Sequence, residues 1–155
     1  MLLANRGGIR HEWDVPGLWD RLWKREGSPI EERRKMTDVM LSQPPQVSAG
    51  QYFYSNCGYG IAGHMAEAIM GIPWEDLVRE RVFEPLGMTS AGFGIPWEGE
   101  PPTDPWPHSE DGTPVRTGKF ADNPPSIGPG GTIHMSIQDW AAFIIDHLRG
   151  AKGRN

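Results

Sequence analysis

The sequence predicts a mostly α fold with a long Pro/Gly-rich loop and little sheet. Three observations carry that expectation. Apolar residues recur at helical spacing in five separate segments. The stretch from Gly92 to Gly131 is crowded with prolines, among them Pro96, Pro101, Pro102, Pro105, Pro107, Pro114, Pro124, Pro125 and Pro129, which leave no room for a long helix. Strand-like patterns are few, and Thr132-Ile133-His134 is the best short candidate.

The first helix is expected over Gly17 to Glu26, with Leu18, Trp19, Leu22 and Trp23 on one face. The second begins at Ser28-Pro29-Ile30-Glu31. Ser28 caps it, Pro29 suits the first turn, and Glu31 completes a capping box. Its inner stripe is Met36, Val39 and Met40. Pro44, Pro45 and Gly50 break the pattern before the aromatic run Gln51-Tyr52-Phe53-Tyr54 leads into a third helix, Asn56 to Met70. There Ile61, Ala62, Met65, Ala66 and Ile69 are expected to face inward, with His64 and Glu67 pointing away. Gly71 is placed to end it. Pro73 opens the fourth helix, with Glu75 and Asp76 near its positive end and Leu77, Val78 and Val82 inside; Pro85 and Gly87 are expected to stop it. The last helix starts at Ser136, with Asp139 three residues on. Trp140, Phe143, Ile144 and Leu148 form its apolar face, and Gly150 closes it.

The length, 155 residues, suits a single domain by the prior of roughly 100–200 residues per domain. Glycine (20) and proline (15) are frequent without reaching the roughly 25–30% typical of disordered chains, and seven tryptophans argue for a packed protein. A net charge of −5, from 15 basic and 20 acidic residues, argues against a nucleic-acid partner, which would call for a basic stripe. No stretch approaches the ~18 apolar residues of a membrane span, and Met1 to Gly8 does not read as a signal peptide, so the chain is expected to be soluble. One cysteine, Cys57, excludes an internal disulfide and a cysteine-based zinc cluster.

No metal or cofactor is called for. His64 and Glu67 stand three apart on a helix, but a carboxylate-bridged metal pair needs several such motifs. His108-Ser109-Glu110 superficially matches a zinc deaminase element, yet no Cys-x-x-Cys follows. His11, His134 and His147 are scattered. Cys57 sits on the first turn of a helix, where a thiol pKa can fall, but with no histidine base near in sequence it reads as a small core residue. The tryptophans at 97 and 106 in the Pro-rich loop either line a cleft or pin the loop to the body. A structureless stretch of this length is often functional.

The segment Tyr54-Ser55-Asn56-Cys57-Gly58-Tyr59-Gly60 resembles the Tyr-x-Asn element of the class C β-lactamase and penicillin-binding-protein-like serine hydrolases. Phe83-Glu84-Pro85-Leu86-Gly87-Met88-Thr89-Ser90 is similar to a specific string of that family. Leu2-Leu3-Ala4-Asn5-Arg6-Gly7-Gly8-Ile9 looks like its Leu-Leu-x-His-x-Ser-Gly stretch, with Asn5 and Gly7 at the usual His and Ser positions. Pro129-Gly130-Gly131-Thr132-Ile133-His134-Met135-Ser136 with Asp139 resembles its Gly-Gly and Ser-x-x-Asp segment. The landmarks stand in family order along nearly the whole chain.

The resemblance implies the helical portion of a β-lactamase/transpeptidase-like α/β fold, with an active site between a helical and an α/β domain. It implies hydrolysis of a small-molecule ester or amide through an acyl-serine, with Tyr54 and Asn56 as the site residues. Tyr54 would take or relay the nucleophile's proton. Tyrosine, at a pKa of about 10, is a poor base unless nearby lysines favour the phenolate. Asn56 would present its amide to the acyl side of the substrate. The alternative reading makes Tyr54 a packed aromatic and Asn56 a helix N-cap. The family nucleophile belongs to a Ser-x-x-Lys element, and no serine of this chain has lysine three residues on. Residues 1–155 are therefore expected to form one partial domain, without the nucleophile-bearing and C-terminal strand segments, inactive alone and prone to self-association through exposed apolar surface. A non-catalytic binding or structural module is the alternative, and a hydrolase using Ser55 or Cys57 a third.

Overall fold

In the computed structural model, described over residues 1–96, 105–115, 118 and 121–153, the chain is mostly helical. Helix α1 spans Leu18–Lys24, α2 Pro29–Leu41, α3 Asn56–Met70, α4 Trp74–Val78, α5 Glu84–Leu86 and α6 Ile137–Ala151. Strands β1 (Gly92–Phe93) and β2 (Ile133–His134) pair antiparallel, Gly92 opposite His134. Short 3₁₀ segments occupy Leu2–Ala4, Glu12–Asp14 and Pro125–Gly130.

Local chemistry accounts for most boundaries. The Ser28 hydroxyl accepts from the Glu31 amide (3.4 Å) while the Glu31 carboxylate accepts from the Ser28 amide (2.9 Å), so the capping box forms as expected. Those hydrogen bonds hold the Glu31 carboxyl below its ordinary range. Gly71 ends α3 in the left-handed region at φ 73°. The fourth helix does not stop at Pro85. A π-helical turn over Arg79–Phe83 continues α4 into α5, and Gly87 ends the run. Proline has no amide hydrogen to return to an ordinary α-turn, and the wider turn before it absorbs that defect. Helix α6 runs one residue past Gly150, within the usual fraying of helix ends.

The core gathers Val15, Leu18, Leu22, Met36, Met40, Cys57, Ile61 and Ile127, with Leu2, Ile9, Trp19 and Val39 packed against it. The expected inner faces of α1 and α2 are those observed. The face of α3 is not. Glu67 is buried rather than pointing away, His64 is half-buried, and Met65 and Ile69 are exposed, Ile69 at 79%. The buried side of α3 carries Cys57, Gly58, Gly60, Ile61, Gly63 and Glu67. Two causes reverse the expectation. A Cβ at Gly63 would lie 2.4 Å from Pro129, and one at Gly60 would lie 2.8 Å from the Ser126 carbonyl, so only glycine lets the 3₁₀ turn Pro125–Gly130 press on α3. Glu67 is also needed inside. Arg33 of α2 is fully buried and its guanidinium pairs with Glu67 and Glu75 and donates to the Pro125 carbonyl (2.9 Å). A buried guanidinium demands such partners. Glu67 also accepts from the Trp74 amide (3.0 Å), which fastens the start of α4 to α3.

Helix α6 buries none of its residues among those described. Its start is nonetheless tied down. Ser136 caps it, accepting from the Asp139 amide (3.3 Å), and Asp139 reaches across to accept from the Ser90 amide (2.8 Å) and hydroxyl (2.6 Å). The Ser90 oxygen in turn accepts from the Ser136 amide (2.8 Å). Two sequence landmarks 46 residues apart thus share one polar cluster. No helix among the described residues is long and apolar enough to cross a membrane.

Candidate functional site

Tyr54 and Asn56 lie where an extended run turns into α3. That run is held by the end of the first 3₁₀ turn: the Asn5 carbonyl accepts from the Phe53 amide (2.8 Å), and the Asn5 side-chain oxygen accepts from the Ser55 amide (3.1 Å). Asn5 adopts a left-handed conformation at φ 52°, which asparagine tolerates better than most residues. The Ser55 hydroxyl donates to the Arg10 carbonyl (2.7 Å). Tyr54, flanked by these two anchored amides, has its ring near His11 (6.2 Å between centroids) and is 47% exposed.

The pair is in contact. The Tyr54 hydroxyl donates to Asn56 Oδ1 (2.9 Å), and Asn56 Nδ2 donates to Glu12 Oε1 (3.1 Å). Asn56 is the first residue of α3 and Ser55 holds the N-cap position, so the side chain of Asn56 is not spent on capping. Gly130 sits beside it: a Cβ there would lie 3.4 Å from the Asn56 carbonyl oxygen. The Tyr-x-Asn and Gly-Gly landmarks, distant in sequence, therefore adjoin.

Ser55 and Cys57 are poor nucleophile candidates by position. Ser55 is 1% exposed with its hydroxyl committed to Arg10, and Cys57 is wholly buried. Burial, and then the neighbouring Glu12 carboxylate, push the Cys57 thiol far above its ordinary pKa, the opposite of the lowering that a helix start can give. Glu12 was not singled out by sequence. It is 0% exposed, its Oε2 faces the Cys57 sulfur at 3.7 Å, and nothing in the local sequence around His11-Glu12-Trp13 announces a buried acid.

The remaining polar candidates are placed elsewhere. His64 Nδ1 lies 3.6 Å from Glu67 Oε2 in the ion network of α3. His108, Ser109 and Glu110 are exposed on a turn, and His134 Nδ1 contacts the Gly94 carbonyl (2.9 Å). No group of three or more His, Cys, Asp or Glu side chains among the described residues is arranged to hold a metal ion. Trp106 is half-buried and lines a cavity of about 350 Å³ with Pro107, Asp122, Thr132 and His134; Trp97 lies outside the described residues. Burial raises the Asp122 carboxyl above its ordinary range.

Comparison with known proteins shows the family. The family model described as Beta-lactamase matches residues 1–155. Penicillin-binding protein 4 of Amycolatopsis lactamdurans is 32% identical over 122 residues, which is 72% of this chain and 29% of that protein. Lovastatin esterase of Penicillium rubens is 24% identical over 94 residues, 60% of this chain and 23% of that protein. A D-stereospecific amidohydrolase from Streptomyces sp. aligns with a TM-score of 0.70 at 22% identity, covering 97% of this chain and 46% of that one. D-amino acid amidase from Ochrobactrum anthropi aligns at 0.64 and 24% identity, covering 96% and 42%. At these identities the structural likeness is one of fold. The chain spans less than a third of the length of these curated relatives and under half of the solved chains.

Proposed function

Because the chain belongs to the beta-lactamase family of hydrolases, we propose that it forms the helical wall of a serine hydrolase site, with Tyr54 and Asn56 as its contribution to acyl transfer. The observation that carries this reading is the Tyr54–Asn56 hydrogen bond at the open start of α3, with Gly130 alongside and Tyr54 reachable from solvent. Acyl transfer needs a nucleophile, a group to handle its proton, and donors for the developing oxyanion. A phenolic oxygen can serve the second need once neighbouring lysines favour its phenolate, and an amide can hold the substrate. The nucleophile must come from outside residues 1–155, since no serine here precedes a lysine by three and both Ser55 and Cys57 are sealed in. The substrate is an ester or amide of a small molecule, and the chain by itself is not a hydrolase.

Intact-mass measurement after incubation with an activated ester, and separately with a penicillin, tests this. The folded chain alone should acquire no stoichiometric adduct. Combined with a polypeptide carrying a Ser-x-x-Lys helix and the closing strand, it should support acylation of that serine, slowed about 10²–10⁴-fold by Tyr54→Phe, the usual range for a lost proton-transfer group. An adduct mapped to a residue of this chain would overturn the proposal. Binding of either compound without acylation in the combined system would favour a non-catalytic binding module.

A further inference from the structure

Resting on that reading of the pair, we infer that Glu12 is a positioning residue that fixes which way the Asn56 amide faces and so fixes the direction of the Tyr54 hydroxyl. The Glu12 oxygen facing Asn56 accepts from its amide, and an amide has a donating end and an accepting end. Glu12 Oε1 meets Asn56 Nδ2 at 3.1 Å, so the amide must turn its NH2 toward Glu12 and its Oδ1 toward Tyr54. Oδ1 only accepts, so the phenol at 2.9 Å must donate. The Tyr54 hydroxyl hydrogen is thereby directed at Asn56, and its oxygen lone pairs are left to accept a hydrogen bond on the open side.

Glu12 is built to hold this setting. It is wholly buried, on the 3₁₀ turn Glu12–Asp14, and no lysine or arginine is paired with it among the described residues. Its second oxygen faces the Cys57 thiol at 3.7 Å, itself buried and kept protonated. Both of its near contacts are neutral donors, so the carboxylate has reason to retain its hold on Asn56. Being sealed from solvent, Glu12 cannot touch a substrate, and its influence passes through Asn56. Asn56 could otherwise rotate by half a turn and present an NH2 to Tyr54, which would turn the phenol from donor into acceptor.

The test needs no activity and so stands apart from the fate of the proposed function. With tyrosines labelled at the ring carbon bearing oxygen, the Tyr54 resonance, assigned through Tyr54→Phe, reports whether the phenol donates or accepts. In Glu12→Gln, which keeps the shape but offers both a donor and an acceptor, the Tyr54 signal should split or move by more than its line width. Tyr52 and Tyr59, whose surroundings are unchanged, should keep theirs. An unmoved Tyr54 signal in a folded Glu12→Gln chain would overturn the inference. Should that variant not fold, the wild-type chain supplies a second reading: one of the two Asn56 side-chain amide protons should exchange with water well behind its twin, and equal fast exchange of both would overturn it.

Discussion

Helices α3 and α6 are both 15 residues long, yet α3 buries six of its residues and α6 buries none. On sequence α6 is the better amphipathic helix, with Ile137, Trp140, Ile144, Ile145 and Leu148 recurring on one side, and every one of them is exposed. Helix α3 does the reverse. Its apolar Met65 and Ile69 face out, while glycines, a cysteine and a glutamate face in. The difference separates two things that an apolar stripe is often taken to show together. A stripe reports that a face is suited to burial. What lies against it depends on shape and on charge, and α3 is claimed on its other side by a close-packed 3₁₀ turn and a buried arginine.

Perturbing that arginine should show the largest effect. Arg33→Ala leaves Glu67 without its buried partner and should cost about 3–5 kcal/mol in chemical denaturation. A cost below about 1 kcal/mol, the level of an exposed pair, would mean that the burial of α3 does not depend on its ion network. Gly63→Ala comes next. The added methyl meets Pro129 at 2.4 Å, and overpacking of this kind costs about 1–3 kcal/mol. Restoring the lost stability with Pro129→Ala would localise the clash to the 3₁₀ turn. The smallest change in stability should come from α6. Ile144→Ser with Leu148→Ser should stay within about 0.5 kcal/mol of the starting chain, because neither side chain is buried. The same pair should reduce self-association in sedimentation velocity, since the uncovered apolar stripe is the surface expected to drive it. A loss of several kcal/mol in the monomer would instead show that α6 is packed within the chain, and the contrast with α3 would collapse.

The chain spans 46% of the Streptomyces amidohydrolase and 42% of the Ochrobactrum amidase. Tyr54 is exposed and Asn56 half-buried at the start of α3.

Much was determined by sequence alone, where the physics is local. The Ser28–Glu31 box, the left-handed Gly71, the inner stripe of α2 and the short strand Ile133–His134 each depend on residues within a few positions of one another. The contact between Tyr54 and Asn56 is local in the same way, its two members standing two residues apart at the start of a helix. Tertiary structure alone decided the rest. Glu67 reads from sequence as solvent-facing, and only the approach of Arg33, 34 residues away, makes its burial favourable. Glu12 looks unremarkable until a bond across 44 residues places it under Asn56. The cause is the same in both cases. A charged or amide side chain has no fixed preference for inside or outside until the fold supplies, or withholds, the partner that offsets its lost hydration.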